Sequence, residues 1–221
     1  MDQNDFWTAA AEQLRVYDLL SHPFYLAWTA GELTPEELGF YGRQYLNHVA
    51  AFPTYLTALH CRLPDGAMRR TVLRNAWEEE GTAMAHSDLF TRFASEMDTL
   101  SSPAGSQPLP EVRRLVETYH EIARYASPPM VLGAFYAYES QVPSVAEAKL
   151  ATLKTLYGAS DRACAYFELH LSADVEHAKV WRALIDSSID ENPRCAQEAL
   201  DGVKRGARAL WSALDGIEAA R

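Results

Sequence analysis

Three stretches of the chain set carboxylates and imidazoles into otherwise apolar seams, the residue types that a metal site or a buried proton network needs. In FELHLSADVEHAKVW, from Phe167 to Trp181, His170, Asp174 and His177 stand four and three residues apart. On a helix all three share one face. The rest of that face, Ala163, Phe167, Trp181 and Leu184, is apolar, which is the pattern of a buried side. A carboxylate taken out of water between two imidazoles is costly unless it is paired or holds a cation. Three readings of the triplet are open: ligation of a metal ion, a His-Asp-His hydrogen-bond chain inside the core, or a surface seam with chance polar residues.

The same seam test sorts the other acids. Val72, Ala76, Glu79, Ala83, His86, Phe90 and Phe93 repeat the four-three spacing, so Glu79 and His86 face inward while Glu78 and Glu80 lie to either side. On one continuous helix Glu79 and His86 are two turns, about 10.5 Å, apart along the axis, a span that suits two metal ions or one ion bridged by other ligands. Glu139 lies on the seam Leu132, Phe135, Glu139, Val142, Ala146 within the aromatic run FYAYESQVP. Pro143, four residues on, cannot donate to the Glu139 carbonyl, so a bend is expected there. The plainer alternatives are a solvated acidic face beside a core histidine, and a single buried acid paired with Lys149 or a tyrosine hydroxyl. Together Glu79, Glu139, Asp174, His86, His170 and His177 supply three carboxylates and three imidazoles. That set suits two first-row metal ions with carboxylate bridging and open positions for dioxygen. Ferritin-type sites use E-x-x-H twice; the lone copy here, Glu117 to His120, is assigned to a helix surface.

Strand signals are nearly absent and helical periodicity recurs throughout, which predicts an all-α fold of about seven helices in a single domain over residues 1–221. A first helix is expected over Asp5–Leu20, and Ser21-His22-Pro23 opens a short second one through Trp28 that closes near Gly31. Thr34-Pro35-Glu36-Glu37 is an N-cap, a first-turn proline and two acids. The third helix starts there and runs to Leu63, bent at Pro53, with Tyr41, Tyr45, His48, Phe52 and Tyr55 on its inner seam. A fourth helix follows Pro64-Asp65 and continues to Met97. SSPAGSQPLP, residues 101–110, reads as a surface loop. Further helices are expected over Glu111–Ala126, through Glu139 toward Tyr157, from the Ser160-Asp161 cap to Asp186, and from Pro193 to Glu218.

The balance of 20 Lys and Arg against 30 Asp and Glu gives a net charge of −10, which argues against nucleic-acid and anionic-membrane partners. Cys61, Cys164 and Cys195 have no metal-thiolate or disulfide spacing. Neither a signal peptide nor a membrane span is apparent, and a soluble cytoplasmic protein is expected.

The order E-x6-H, then a lone Glu, then H-x3-D-x2-H on a helical bundle resembles the haem-oxygenase-like dinuclear metal oxidases, which share their scaffold with thiaminase II (TenA) and pyrroloquinoline-quinone synthase C (PqqC). HPFYLAWTAGELT, FYGRQYLNHVAAFPTYL, AFYAYESQVP and ADVEHAKVW are similar, more narrowly, to the chlamydial CADD-like proteins, named for association with death domains, over about Ser21 to Trp181. The resemblance implies oxygen-dependent synthesis of para-aminobenzoate for folate, by a self-sacrificing reaction on one of the protein's own tyrosines. It implies Tyr25 as the sacrificed residue, Tyr41 as a second functional tyrosine and Lys149 as amino donor. It also implies the six ligands above holding two irons, or manganese with iron, with dioxygen and an external reductant as co-substrates. A homodimer is compatible with it. Readings from other classes are an oxidase acting on a free amino acid or fatty acid, a metal-free thiaminase-like hydrolase with a cysteine nucleophile, and a partner-binding protein.

Overall fold

Several helices begin on a capping side chain or a first-turn proline. In the computed structural model, which describes residues 1–98 and 107–221, the chain forms α1 (Gln3–Val16), a 3-10 turn (Leu19–Ser21), α2 (Pro23–Ala30), α3 (Pro35–His60), α4 (Ala67–Glu80) and α5 (His86–Met97). It continues as α6 (Pro110–Tyr125), α7 (Pro128–Glu139), α8 (Val142–Thr155), α9 (Asp161–His170), α10 (Ala173–Glu191) and α11 (Cys195–Ala220). No strand occurs among the described residues. The expected loop 101–110 lies outside them up to residue 106, and α6 begins at Pro110.

The Thr34 hydroxyl accepts from the Glu37 amide at 3.2 Å while the Glu37 carboxylate accepts from the Thr34 amide at 2.7 Å, a reciprocal capping box that starts α3. Helix α3 then runs unbroken through Pro53. Ser160 caps α9 by accepting from the Ala163 amide at 3.2 Å. At the head of α2 the cap is an imidazole: His22 Nδ1 accepts from the Phe24 amide at 3.1 Å. Gly31, at φ +72°, closes α2 in the left-handed region that other residues avoid.

Three of the long helices expected from the periodicity are each divided. The fourth breaks at residues 81–85 between α4 and α5, where Gly81 and Thr82 are poor helix formers and the Thr82 hydroxyl donates to the Met84 carbonyl at 2.8 Å. The next breaks after Glu139, because Val142 and Pro143 occupy the first turn of α8 and proline there needs no amide donor. The helix through Phe167–Trp181 breaks at Leu171-Ser172, between α9 and α10. First and last helices shift by a few residues, with Leu19 and Leu20 in the 3-10 turn instead of α1. Each seam therefore continues across a turn.

The buried apolar side chains form one continuous cluster with Trp28, Trp181, Tyr41, Tyr55 and Tyr119 among its largest members. Helices α7 and α11 cross with their backbones in contact. A Cβ at Gly133 would stand 2.0 Å from the Ala199 carbonyl oxygen, and one at Gly202 only 1.9 Å from that of Met130. No helix among the described residues is long and apolar enough to cross a membrane.

Candidate metal centre

Most of the inward acids and histidines sit at helix ends, so the turns carry the chemistry. Glu79 is the penultimate residue of α4, His86 the first of α5, Glu139 the last of α7, His170 the last of α9 and Asp174 the second of α10, with His177 one turn further on. Their ligand atoms form two groups within which all lie inside 4.8 Å: Glu79, His86 and His170, and Glu79, Glu139, Asp174 and His177. Glu79 belongs to both. The division of α4 from α5 is what brings Glu79 and His86 together: His86 Nδ1 is 2.9 Å from Glu79 Oε2, where a straight helix would hold the residues about 10.5 Å apart.

His177 Nδ1 lies 3.0 Å from Glu139 Oε1 and 3.3 Å from Asp174 Oδ1, and its Nε2 is 2.8 Å from Glu78 Oε2. Trp181 Nε1 donates to Glu139 Oε2, and His170 Nδ1 pairs with the Tyr166 carbonyl at 2.7 Å. That leaves the far nitrogen of His170 facing the His86 ring, 4.8 Å away between centroids. Asp174 Oδ2 is buried with no hydrogen-bond partner, and His86 Nδ1, for all its closeness to Glu79, is not in line for a hydrogen bond. Glu79 and Glu139 also end their helices, where the macrodipole is negative and favours a cation over a carboxylate. Orphaned buried donor atoms, hard oxygen and imidazole groups, and carboxylates at negative helix ends fit a pair of divalent ions.

Next to this cluster lies a cavity of ≈ 20 Å³ lined by Tyr25, Tyr41, Tyr45, Tyr138, Lys149 and Tyr166, with apolar side chains filling the rest. Tyr166 stacks on His170 at 4.0 Å and so connects the cavity to the ligand set. The Tyr25 and Tyr41 hydroxyls are 3.0 Å apart, Lys149 Nζ donates to the Tyr41 hydroxyl at 2.6 Å, and the same nitrogen stands 3.9 Å from the centre of the Tyr25 ring. Tyr25, Tyr41 and Lys149, the residues that the resemblance implies outside the metal set, are thus brought together from α2, α3 and α8.

Residues 40–211 match the family described as iron-containing redox enzymes. A protein of Nitrosomonas europaea described as 4-aminobenzoate synthase is 36% identical over 228 residues, covering 98% of this chain and 92% of that one. One of the same description from Chlamydia pneumoniae is 32% identical over 205 residues, covering 92% and 90%. The chain belongs to the haem-oxygenase-like iron-containing redox enzymes. A solved structure from Shewanella denitrificans, a domain of unknown function with a heme oxygenase-like fold, superposes with a TM-score of 0.80 at 16% identity over 100% of this chain and 93% of that one, which shows the shared fold.

In this redox enzyme His177 offsets only part of the negative charge of the cluster. Burial alone would raise the Glu79 carboxyl, but His86, with His170 and His177, holds it below its usual range. Burial dominates at Glu139 and Asp174 and raises both against the pull of His177. Burial would lower His177, yet Asp174, Glu139 and Glu78 outweigh it and hold a proton on the ring. That proton stands where a metal ion would place positive charge. His170, with its carboxylate neighbours further off, is lowered by burial to about 4 and stays neutral, the form that ligates. Burial also pushes Lys149 well below the ordinary amine range. It stands 3.9 Å, 4.4 Å and 4.8 Å from the ring centres of Tyr25, Tyr41 and Trp28, and burial there favours the uncharged amine.

Several participants are visible only in the structure. Glu78, which the seam places to one side, reaches His177. Tyr138 and Tyr166 line the cavity, and each carried a cue: Tyr138 precedes Glu139, and Tyr166 is four residues before His170 on one helix face. Glu117 is exposed and His120 packs on Tyr55 at 4.7 Å, outside both ligand groups. Cys61 is exposed, Cys195 partly buried and Cys164 buried, and none lines the cavity, so the thiaminase-like arrangement has no nucleophile there.

Proposed function

We propose that the protein makes para-aminobenzoate, a folate precursor, in an oxygen-dependent reaction that takes the aromatic ring from its own Tyr25 and nitrogen from Lys149. The carrying observation is one of space. The volume beside the ligand cluster is filled by the Tyr25 ring, and the ≈ 20 Å³ left over is room for about one water molecule, not for a second aromatic ring. The naming of two relatives as 4-aminobenzoate synthases supports the product.

In this reading Glu79, His86 and His170 hold one ion and Glu139, Asp174 and His177 the other, with Glu79 shared. The pair is two irons or manganese with iron, and when bound it supplies oxidising equivalents from dioxygen, with an external reductant closing the electron count. The chain's own residues do the rest. Tyr41 accepts a hydrogen bond from Lys149 and shares one with Tyr25, which fixes the Tyr25 ring and offers a neighbour through which its phenolic proton can leave. Burial raises the Tyr25 phenol, so the ring stays protonated until it is oxidised. Lys149, whose pKa burial lowers, stands 3.9 Å from the ring centre, placed to attack an electron-poor ring once it has lost its proton. The product carries the ring and one further carbon, so Cα–Cβ of Tyr25 breaks and Cβ becomes the carboxyl carbon; the phenolic oxygen leaves as water as Nζ bonds to the ring, and Nζ–Cε of Lys149 then breaks by hydrolysis to leave Cε as an aldehyde, the oxidising equivalents coming from dioxygen.

Mass spectrometry of the metal-loaded chain after reaction with dioxygen and reductant tests this. The chain is expected to lose the Tyr25 side chain, to yield at most one product molecule, and to yield none as Tyr25→Phe while metal content is kept. Repeated turnover by an unmodified chain would assign the ring to a free substrate and sink the proposal.

A further inference from the structure

We propose that a chain that has lost its Tyr25 ring becomes a receptor for neutral para-alkylphenols, with the vacated ring volume as the binding site. This rests on Tyr25 being the ring donor. Cleavage at Cα–Cβ leaves position 25 without a side chain, so the space now filled by the ring joins the existing ≈ 20 Å³ cavity.

The walls of that space are held by groups other than Tyr25. Tyr41 is stacked on Phe24 and Tyr45 at 5.3 Å each, contacts that survive the loss of the Lys149 amine. Trp28 is fixed by Phe93 at 5.8 Å and Phe167 at 6.4 Å. These contacts stem from α3, α5 and α9 as well as α2, so loss of one ring does not release the others. Side chains locked by independent packing relax only partly around a deleted neighbour, and a dry apolar cavity takes up a small aromatic.

The chemistry of the walls selects the ligand. The slot is shaped for one ring, since Lys149 Nζ lies 3.9 Å from the centre of the present ring and Tyr25 is only 2% exposed. At its far end the Tyr41 hydroxyl, now 3.0 Å from that of Tyr25, awaits a hydroxyl partner. The opposite, para position points at the α2 backbone, which leaves room for a methyl where Cβ stood. An ionised ligand would be stripped of water with only phenols and apolar side chains to meet it, at a cost the slot does not repay. A neutral 4-methylphenol matches all four features.

The test uses metal-free protein and 4-methylphenol, read by titration calorimetry and thermal shift. Tyr25→Gly, which reproduces the spent backbone, is expected to bind it at one site both alone and with Lys149→Met in place of the consumed amine, with toluene weaker by roughly tenfold for want of the hydrogen bond. Wild type and Tyr25→Phe should bind neither. Adding Tyr41→Phe should erase the preference for the phenol. Tyr25→Ala carries the same test should glycine weaken α2. A folded Tyr25→Gly or Tyr25→Ala protein that takes up neither compound, or that binds toluene equally well, overturns the receptor. If mass spectrometry still shows wild type losing its ring, the donor reading survives that failure. If the variant binds 4-methylphenol but wild type is never modified, the pocket is real and no spent chain exists to use it, which also overturns the proposal.

Discussion

His48 shows how far a single buried residue can govern the response to pH. It is fully buried, and neither ring nitrogen has a hydrogen-bond partner among the described residues. The rings of Tyr45, Phe52, Tyr55, Tyr119 and Tyr138 enclose it. Burial lowers its pKa from 6.5 to about 3, so in the folded state it stays neutral where the unfolded chain takes up a proton. With a folded value below the unfolded one, the native state is favoured above pH 6.5 and loses that advantage as pH falls toward 3, by roughly 1.4 kcal/mol per pH unit. Chemical denaturation of His48→Leu and parent between pH 6 and 4 should show the parent weakening more steeply by about that amount. Parallel profiles would mean that the imidazole finds a proton partner in the folded protein.

Among the elements, the pair α7 and α11 is the most tightly constrained, because Gly133 and Gly202 let the two backbones meet. Glycine to alanine on an exposed helix generally stabilises by about 0.4–1 kcal/mol. At Gly202 the added Cβ would lie 1.9 Å from the Met130 carbonyl oxygen, and backbone cannot swing aside as a side chain would. The sign should therefore reverse, with Gly202→Ala costing about 1–3 kcal/mol; a melting temperature at or above that of the parent would contradict the crossing. The consequence reaches the site, since α7 ends on Glu139 and α11 carries Asp215, whose Oδ1 is 3.2 Å from Nε2 of His22, the cap of the helix that bears Tyr25.

For the molecule as a whole, the inward carboxylates are a destabilising charge until cations meet them. Burial raises Asp174, so metal-free protein loses stability as pH rises through the folded value of that carboxyl. Adding Fe(II) or Mn(II) at about a hundred times its dissociation constant should stabilise by about 2.7 kcal/mol, a rise in melting temperature of roughly 5–10 °C at this chain length, and chelation should reverse it. Asp174→Asn is expected to bind fewer than two ions per chain, yet when chelated to melt no lower than the chelated parent, because it removes like charge from the cluster. Elemental analysis with calorimetry reads both. A chelated variant that melts well below its parent would favour the purely structural His-Asp-His chain.

The amino-acid sequence alone determined the all-helical fold and the set of inward groups, because burial of a carboxylate or imidazole on an apolar seam leaves a periodic trace. Thr34, Ser160, Gly31 and Pro143 likewise act through neighbours a few residues away, so their caps and breaks were local and legible. Glu79 and His86 were found as inward residues but placed on one straight helix, since periodicity carries across a turn without recording it. Only the tertiary structure decided that residues 81–85 and 171–172 are turns, that Glu78 reaches His177 from another helix, and that α7 meets α11 backbone to backbone. Those contacts join residues from 66 to 99 positions apart, and a distance of that kind is fixed by how whole helices pack, which no single helix's pattern encodes.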